Sequence, residues 1–335
     1  MTVKQQVLAA LESETGADLS GQALADQIHV TRAAVWKAIR ALQEEGYQIS
    51  AQTNRGYRLV GKPDHINMER LRPFLHQSSG FYQLVTARTL DSTNDAAKQL
   101  AAQGAPEGTI VFAEQQTAGK GRMHRAFFSP AGTGIYMSLI LRPAIPAEEA
   151  LFITTSAAAA VAEAIESVAG TAAGIKWVND VFCEGKKVCG ILTEGACAME
   201  DGSLEYAVLG IGINAIEPTN GFPESIREIA GAVCTRAEAG PDFRVRLMAV
   251  FLERFYGFYQ HLREKTFLNA YRSRSILKGC AVTVLRGGNA RQAMAGDIDD
   301  ECRLEVRYPD GTIGLLSSGE ISVRPNQIPC EGSWK

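Results

Sequence analysis

Three short stretches of this chain bring together residue types that handle anions and polar rings. The first is Gly119-Lys120-Gly121-Arg122, followed by Arg125, Phe127 and Phe128. Glycine lets backbone N–H groups approach a ligand closely and opens positive φ angles. Lysine is a point charge, and arginine a planar fork of donors that matches carboxylate or phosphate oxygens. A loop of this make-up can grip an anion and fold over it, although a mobile surface loop has the same composition. It is not a P-loop, because no Gly-Lys-Ser/Thr follows at the required spacing. The second stretch runs from Lys176, Trp177, Asn179 and Asp180 through a turn at Glu184-Gly185 to Lys187 and Gly190. Lys186, beside Lys187, reads as a solvated charge. The third is Ser92-Thr93-Asn94, which admits two readings. It is a good helix N-cap, and it is also a strand-to-helix turn whose hydroxyls and N–H groups can bind a polar ring. Gly210 and Gly212 alternate along one strand and strip a face of side chains, leaving a floor for a ligand or room for a packed helix.

The elements that must position these residues follow from periodicity. Apolar strands are expected over Phe81 to Leu90, Thr109 to Ala113, Gly132 to Pro143 and Tyr206 to Ala215. A long Ala-rich helix, roughly Glu148 to Val168, covers them, and a helical stretch from Asp242 to Glu264 completes the domain. From about Lys278, four or five short strands separated by Gly/Asp turns read as a small β-barrel.

The N-terminal segment has a different pattern. Leu24, Ala25 and Ile28 suit a short helix, and Thr31 caps a second one with Val35, Ala38, Ile39 and Leu42 on its apolar stripe. Its other face offers Arg32, Ala33, Trp36, Lys37 and Arg40. Two helices joined by a tight turn form a helix-turn-helix, whose second helix enters the major groove. A hairpin around Asn54-Arg55-Gly56 then reads as a wing carrying Arg55 and Arg58. Residues 1–60 hold six Lys/Arg and six Asp/Glu, so composition alone does not point to DNA. The distribution does, because every cation after Lys4 lies on the second helix or the wing. Gly21, which opens the first of the two helices, belongs to the same candidate surface. Gly61-Lys62-Pro63 reads as a linker.

The chain's 335 residues allow two or three domains. With 46% hydrophobic and 21% charged residues it has the make-up of a soluble globular protein. Its net charge of −3 excludes a strongly basic protein but not a local basic face. The N-terminus lacks a signal-peptide pattern, and the most apolar run carries Glu163 and Glu166, so no membrane association is expected. Seven scattered cysteines without C-x-x-C pairing point to a reducing cytoplasm. Five dispersed histidines show no metal-ligand spacing, so no protein-held metal site is expected.

In this order the motifs resemble those of the bifunctional biotin protein ligases that double as biotin-dependent repressors in bacteria. The resemblance covers nearly the whole chain. The family's serine-threonine-asparagine turn is matched by Ser92-Thr93-Asn94. Its biotin and adenylate loop resembles Gly119 to Arg122, with Gln116 as the preceding glutamine. Its lysine-tryptophan-proline-asparagine-aspartate stretch is similar to Lys176–Asp180, with Val178 in place of proline. Its essential lysine falls on Lys187, its glycine-rich strand on residues 210–214, and its GEIS ending on residues 319–322. Met123, His124 and Phe127 are departures, the last standing where tryptophan is common.

The resemblance implies an α+β multidomain chain. It would have a winged helix-turn-helix at 1–62, a mixed α/β ligase domain of class II synthetase-like type at 63–277, and an SH3-like small β-barrel at 278–335. It implies that biotin and ATP, with Mg²⁺, form biotinyl-AMP, which a lysine of a biotin carboxyl carrier domain then attacks. Lys187 and Arg122 would be catalytic. Biotin would meet Ser92, Thr93, Asn94, Gln116, Lys120, Gly121, Arg122, Lys187 and Gly190. The adenylate would meet Gly119, Lys120, Arg122, Lys176, Asn179, Asp180 and Asn214. A ligand-promoted homodimer would bind operator DNA of biotin genes. The alternatives are a lipoate or octanoate ligase-like acyltransferase, which the DNA reader argues against, and a repressor without catalysis, which Lys187 beside Arg122 argues against.

Overall fold

The computed structural model describes residues 2–14, 17–44, 47–52, 55–61, 65–197, 203–286, 289–317 and 320–323. It divides into two compact units, Met1–His65 and Ile66–Lys335.

In the first unit, α1 (Val3–Ser13) starts with a capping box. Thr2 accepts from the Gln5 N–H, and the Gln5 side chain accepts from the Thr2 N–H. Helix α2 (Gly21–Gln27) is capped by Ser20, and α3 (Arg32–Glu44) by Thr31, whose hydroxyl accepts from Ala34 N at 3.2 Å. Val35, Ala38, Ile39 and Leu42 are buried against Val7, Leu11 and Leu24, as their spacing required. Strands β1 (Gln48–Gln52) and β2 (Gly56–Gly61) pair antiparallel as the wing. Thr53 and Asn54 at its turn, and Lys62-Pro63 of the expected linker, lie outside the described residues. Strand β2 is also bonded to Leu19, through paired N–H···O contacts with Tyr57 at 2.8 Å. Gly56 lies at φ +103°, and a side chain there would strike the Leu19 carbonyl, so the position requires glycine. Arg58 departs from its expected role as an outward wing cation. Its guanidinium forks the Asp18 carboxylate, Nε–Oδ1 2.7 Å and Nη2–Oδ2 2.9 Å, and holds that carboxyl below its ordinary pKa.

The second unit is organised on a seven-stranded mixed sheet. It contains β3 (Gln83–Leu90), β4 (Thr109–Gln116), β5 (Gly134–Leu141), β6 (Gly174–Lys176), β7 (Asp180–Cys183), β8 (Lys186–Cys197) and β9 (Leu204–Asn214), in the order β3-β4-β5-β9-β8-β7-β6. Only β3 and β4 run parallel, joined by the crossover helix α4 (Thr93–Ala102); the other pairs are antiparallel. Helix α5 (Ala150–Ala169) packs on the sheet with α6 (Phe243–Gln260) against it. Its buried run Ala157–Ala162 lets the neighbouring backbones approach closely. This helix has the length and apolar content to cross a membrane, but most of it is inside the core.

The C-terminal strands β10 (Ala281–Arg286), β11 (Asn289–Ile298), β12 (Leu304–Arg307), β13 (Ile313–Leu316) and β14 (Glu320–Val323) form a small antiparallel sheet, ordered β13-β12-β11-β10-β14. Gly319 of the GEIS ending lies outside the described residues. Val282, Leu304 and Val306 share one apolar core with Ile211 and Phe251 of the central layer.

Candidate active site

A cavity of about 540 Å³ opens over β9 and β8 and is covered by the segment between β4 and β5. Every ligand residue expected from the sequence lines it except Gly119. A larger cavity of about 950 Å³ lies behind the 222–230 segment and contains none of those residues.

The covering segment is a folded hairpin rather than an open loop. Phe127 N donates to Gly119 O at 2.8 Å and Gly121 N to Arg125 O at 2.7 Å, with a one-turn 3₁₀ helix, Arg122–His124, at the tip. The positive φ in it belongs to Met123 (56°), not to the glycines, and Met123 is 73% exposed there. Gly119 is glycine for a packing reason. A side chain would come within 2.7 Å of the Phe127 carbonyl and 2.9 Å of Gln116 Nε2. Lys120 reaches down to Asp95 Oδ2 (2.5 Å), which is the first cause of that carboxyl's lowered pKa. Arg122 Nη1 donates to Asn179 Oδ1 (3.1 Å), so the tip is docked across the cavity.

Ser92 acts as the N-cap of α4, accepting from Asp95 N at 3.4 Å. Thr93 N donates to Gln116 Oε1 (2.8 Å), and Gln116 Nε2 donates to Ser129 Oγ (3.0 Å). Asn94 is buried, with its amide nitrogen donating to Glu194 Oε2 (2.8 Å) and Leu192 O (3.3 Å). Ser92 therefore caps the helix, as the first of the two readings had it, and the next two residues form a polar wall of the cavity.

The glycine floor differs from its expected form. The space above Gly210 is filled by the Asn94 amide and that above Gly212 by the Phe127 ring, so the protein's own side chains use the room. Lys187 Nζ is 2.6 Å from Asp180 Oδ1. The Lys187 backbone is clamped by a strand-like segment: its N–H donates to Ile229 O (2.8 Å), and its carbonyl accepts from Gly231 N (2.9 Å). Asn214 serves the same segment, its amide donating to Gly231 O (3.0 Å). Lys186 is exposed, as expected, but its Nζ also donates to Arg227 O. Lys176 lines the cavity beside Trp177, whose indole N–H donates to Cys302 O in the turn between β11 and β12 (2.9 Å). Gly190 leaves room for the Lys187 stem and the Phe127 ring. Five Lys/Arg and two carboxylates line the cavity, a balance that favours anionic ligands.

Residues 85–214 match the biotin/lipoate A/B protein ligase family, residues 3–58 a helix-turn-helix domain, and residues 279–324 the biotin protein ligase C-terminal domain. The chain is 42% identical over 224 residues to the bifunctional ligase/repressor BirA of Bacillus spizizenii, covering 67% of this chain and 68% of that protein. This chain belongs to the bifunctional biotin protein ligase/repressor family. The Escherichia coli BirA is 27% identical over 332 residues, spanning 96% of this chain and 98% of that one. The biotin protein ligase of Aquifex aeolicus in complex with biotin and ATP superimposes with a TM-score of 0.59 at 27% identity, covering 73% of this chain and 99% of that one.

The helix face expected to meet DNA is laid out as its periodicity required. Thr31, Arg32, Ala33, Trp36, Lys37 and Arg40 are all exposed on or at the start of α3, and the Arg40 guanidinium lies over the Trp36 ring at 5.3 Å. Arg55 is exposed on the wing, and Gly21 packs near Tyr57 and Arg32. Sequence reasoning missed Ser138, Glu194 and the lining residues Phe222, Ile226 and Ile229. The last three had a signal, as apolar residues in an otherwise polar turn-rich stretch. Ser138 and Glu194 had none, since a serine in an apolar strand and a glutamate in an alternating one are common.

Proposed function

We propose that this chain activates biotin with ATP and transfers it to a carrier lysine, using Lys187 and Arg122 as the principal cationic groups. The observation that supports this reading most directly is their convergence on one cavity whose far wall is the Thr93–Gln116 network. Biotin's ureido ring carries two N–H donors and one carbonyl acceptor, which a wall of hydroxyl and amide groups can satisfy. Its carboxylate and the α-phosphate repel each other, and Lys187 with Arg122 offsets that repulsion in a sheltered site. The carboxylate oxygen attacks the α-phosphorus and pyrophosphate leaves. The neutral amine of the carrier lysine then attacks the acyl carbon, AMP departs with the bond electrons, and the amine's proton is lost to solvent. Asn179 positions Arg122, and Asp180 positions Lys187.

Among the described residues no group of three or more His, Cys, Asp or Glu gathers as a metal site. On this reading Mg²⁺ would be carried chiefly on the nucleotide phosphates, where it neutralises charge. We assign residues 1–62 to an operator reader, 63–277 to catalysis and 278–335 to a supporting C-terminal domain. The working form on DNA is a homodimer in the cytoplasm, because a two-fold symmetric reader matches a palindromic site. The deciding experiment mixes the protein with ATP, Mg²⁺ and biotin and searches by mass spectrometry for bound biotinyl-AMP. Its absence, or equal turnover of lipoate, would overturn the reading.

A further inference from the structure

Helix α3 leaves its largest apolar side chain in solvent. Trp36 is 55% exposed, and among the described residues it is the only exposed aromatic side chain. It takes no part in the core of the first unit, to which the opposite stripe contributes Val35, Ala38, Ile39 and Leu42. Its neighbours one turn to either side are Arg32 and Arg40. The Arg40 guanidinium lies over one face of the indole, 5.3 Å from the ring centre. Arg58 is committed to Asp18, but among the described residues Arg32, Lys37 and Arg40 have no carboxylate partner. The stripe therefore carries uncommitted cations around one oriented ring. Cations alone would serve to hold the duplex backbone, and phosphate contacts carry no sequence information. The ring needs a different partner.

A helix in the major groove meets few apolar groups. The C5-methyl of thymine is the one that base-pair edges present there, and the O4 acceptor of the same base lies beside it. An indole matches that pair, with an apolar body and a single N–H donor. Among the described residues the Trp36 N–H has no hydrogen-bond partner, whereas that of Trp177 is spent on Cys302 O. Arg40 on one face restricts how the ring can turn, so its edge and other face are set before DNA arrives. We infer that Trp36 is a specificity-determining residue of the reader and that it recognises a thymine in each operator half-site. This deepens the operator-reader assignment of residues 1–62 and rests on it. Arg32, Lys37 and Arg40 then supply mainly affinity, and Trp36 supplies discrimination.

The test uses the full chain with biotinyl-AMP and a duplex that it selects from a random pool. Each thymine of that duplex is replaced in turn by deoxyuridine, which lacks only the methyl group, and the dissociation constant is measured at fixed salt. The expected result is one position per half-site where the replacement weakens binding about fourfold, the worth of one buried methyl group. In Trp36→Ala the unmodified duplex should bind more weakly, and deoxyuridine at that position should make no further difference. Trp36 is exposed and outside the core, so its truncation leaves the reader folded. Arg58→Ala, which loosens the reader without touching α3, should keep the fourfold penalty. A full penalty in Trp36→Ala overturns the inference. So does a wild-type chain indifferent to every deoxyuridine, or a penalty lost equally in Arg58→Ala, which marks a structural role. Wild-type protein that enriches no sequence from the pool would overturn the operator-reader assignment itself, and is thereby distinguished.

Discussion

Lys187 and Asp180 face each other across the β7–β8 hairpin, with Nζ 2.6 Å from Oδ1. The contact fixes a long, flexible side chain whose ammonium must meet an anion at one place. It also gives the lysine a counter-ion before any ligand arrives. Lys187→Ala should abolish biotinyl-AMP formation with the fold intact. Asp180→Ala should keep the charge but loosen its aim, lowering kcat about tenfold to a hundredfold. Pyrophosphate release separates the two, and normal turnover in Asp180→Ala would show that Lys187 keeps its place without help.

Arg122 donates to Asn179 from the tip of a hairpin, so this contact depends on the hairpin being down. On the proposed reading the same guanidinium grips the mixed anhydride once it forms. A charge-assisted contact is typically worth about 1.5–3 kcal/mol, roughly tenfold to over a hundredfold in retention. Arg122→Gly should shorten the half-life of bound biotinyl-AMP and label bystander lysines. Labelling confined to the carrier domain would remove Arg122 from this role.

Much of this architecture was legible because local chemistry and tertiary packing agree. Val35, Ala38, Ile39 and Leu42 announced a buried helical face, and they are buried. Glu184-Gly185 announced a tight turn, and both adopt positive φ. The Gly/Arg stretch was legible as a glycine-rich cationic segment but not as a hairpin, because its cross-strand bonds depend on β4 and β5 holding its ends. Arg58 looked like every other wing cation; only the fold brings Asp18, forty residues earlier, within reach. The glycine floor has a similar limit, although Gly210 and Gly212 do line the cavity. A missing Cβ reports that something approaches, not whether it is a ligand or, as at Gly212, the chain's own Phe127.

The buried thiols predict an alkaline limit to stability. Burial pushes Cys183 up to about 12 and Cys302 up to about 11, and raises Cys189 as well. A raised thiol pKa means that the fold holds the proton more tightly than the unfolded chain does. The contribution is intact below the ordinary thiol pKa near 9 and is lost as pH rises from there toward 12. Melting temperature should therefore fall through that window, and Cys183→Ala should flatten part of the slope. Parallel pH profiles for the variant and wild type would refute the attribution to this thiol.

The two units should be separable in function, because each has its own core. Removing residues 1–62 should abolish operator binding and leave carrier biotinylation largely in place. Within the reader, Arg40 and Arg58 should behave differently although both are arginines. Arg40 is exposed on α3, and Arg40→Ala should weaken binding and reduce the salt slope by about one if it meets a phosphate. Arg58 is committed to Asp18, so Arg58→Ala should lower the reader's stability while leaving that slope nearly unchanged. Ligand should enter through assembly. Biotinyl-AMP would fix the hairpin that carries the exposed Met123, and a fixed apolar tip favours pairing of two chains. Such coupling is reciprocal and typically about 1–3 kcal/mol. Sedimentation should shift from monomer toward dimer with biotinyl-AMP, operator affinity should rise in parallel, and Met123→Asp should blunt both without lowering adenylate formation. An operator affinity indifferent to the adenylate would mean that the reader is controlled by something other than this site.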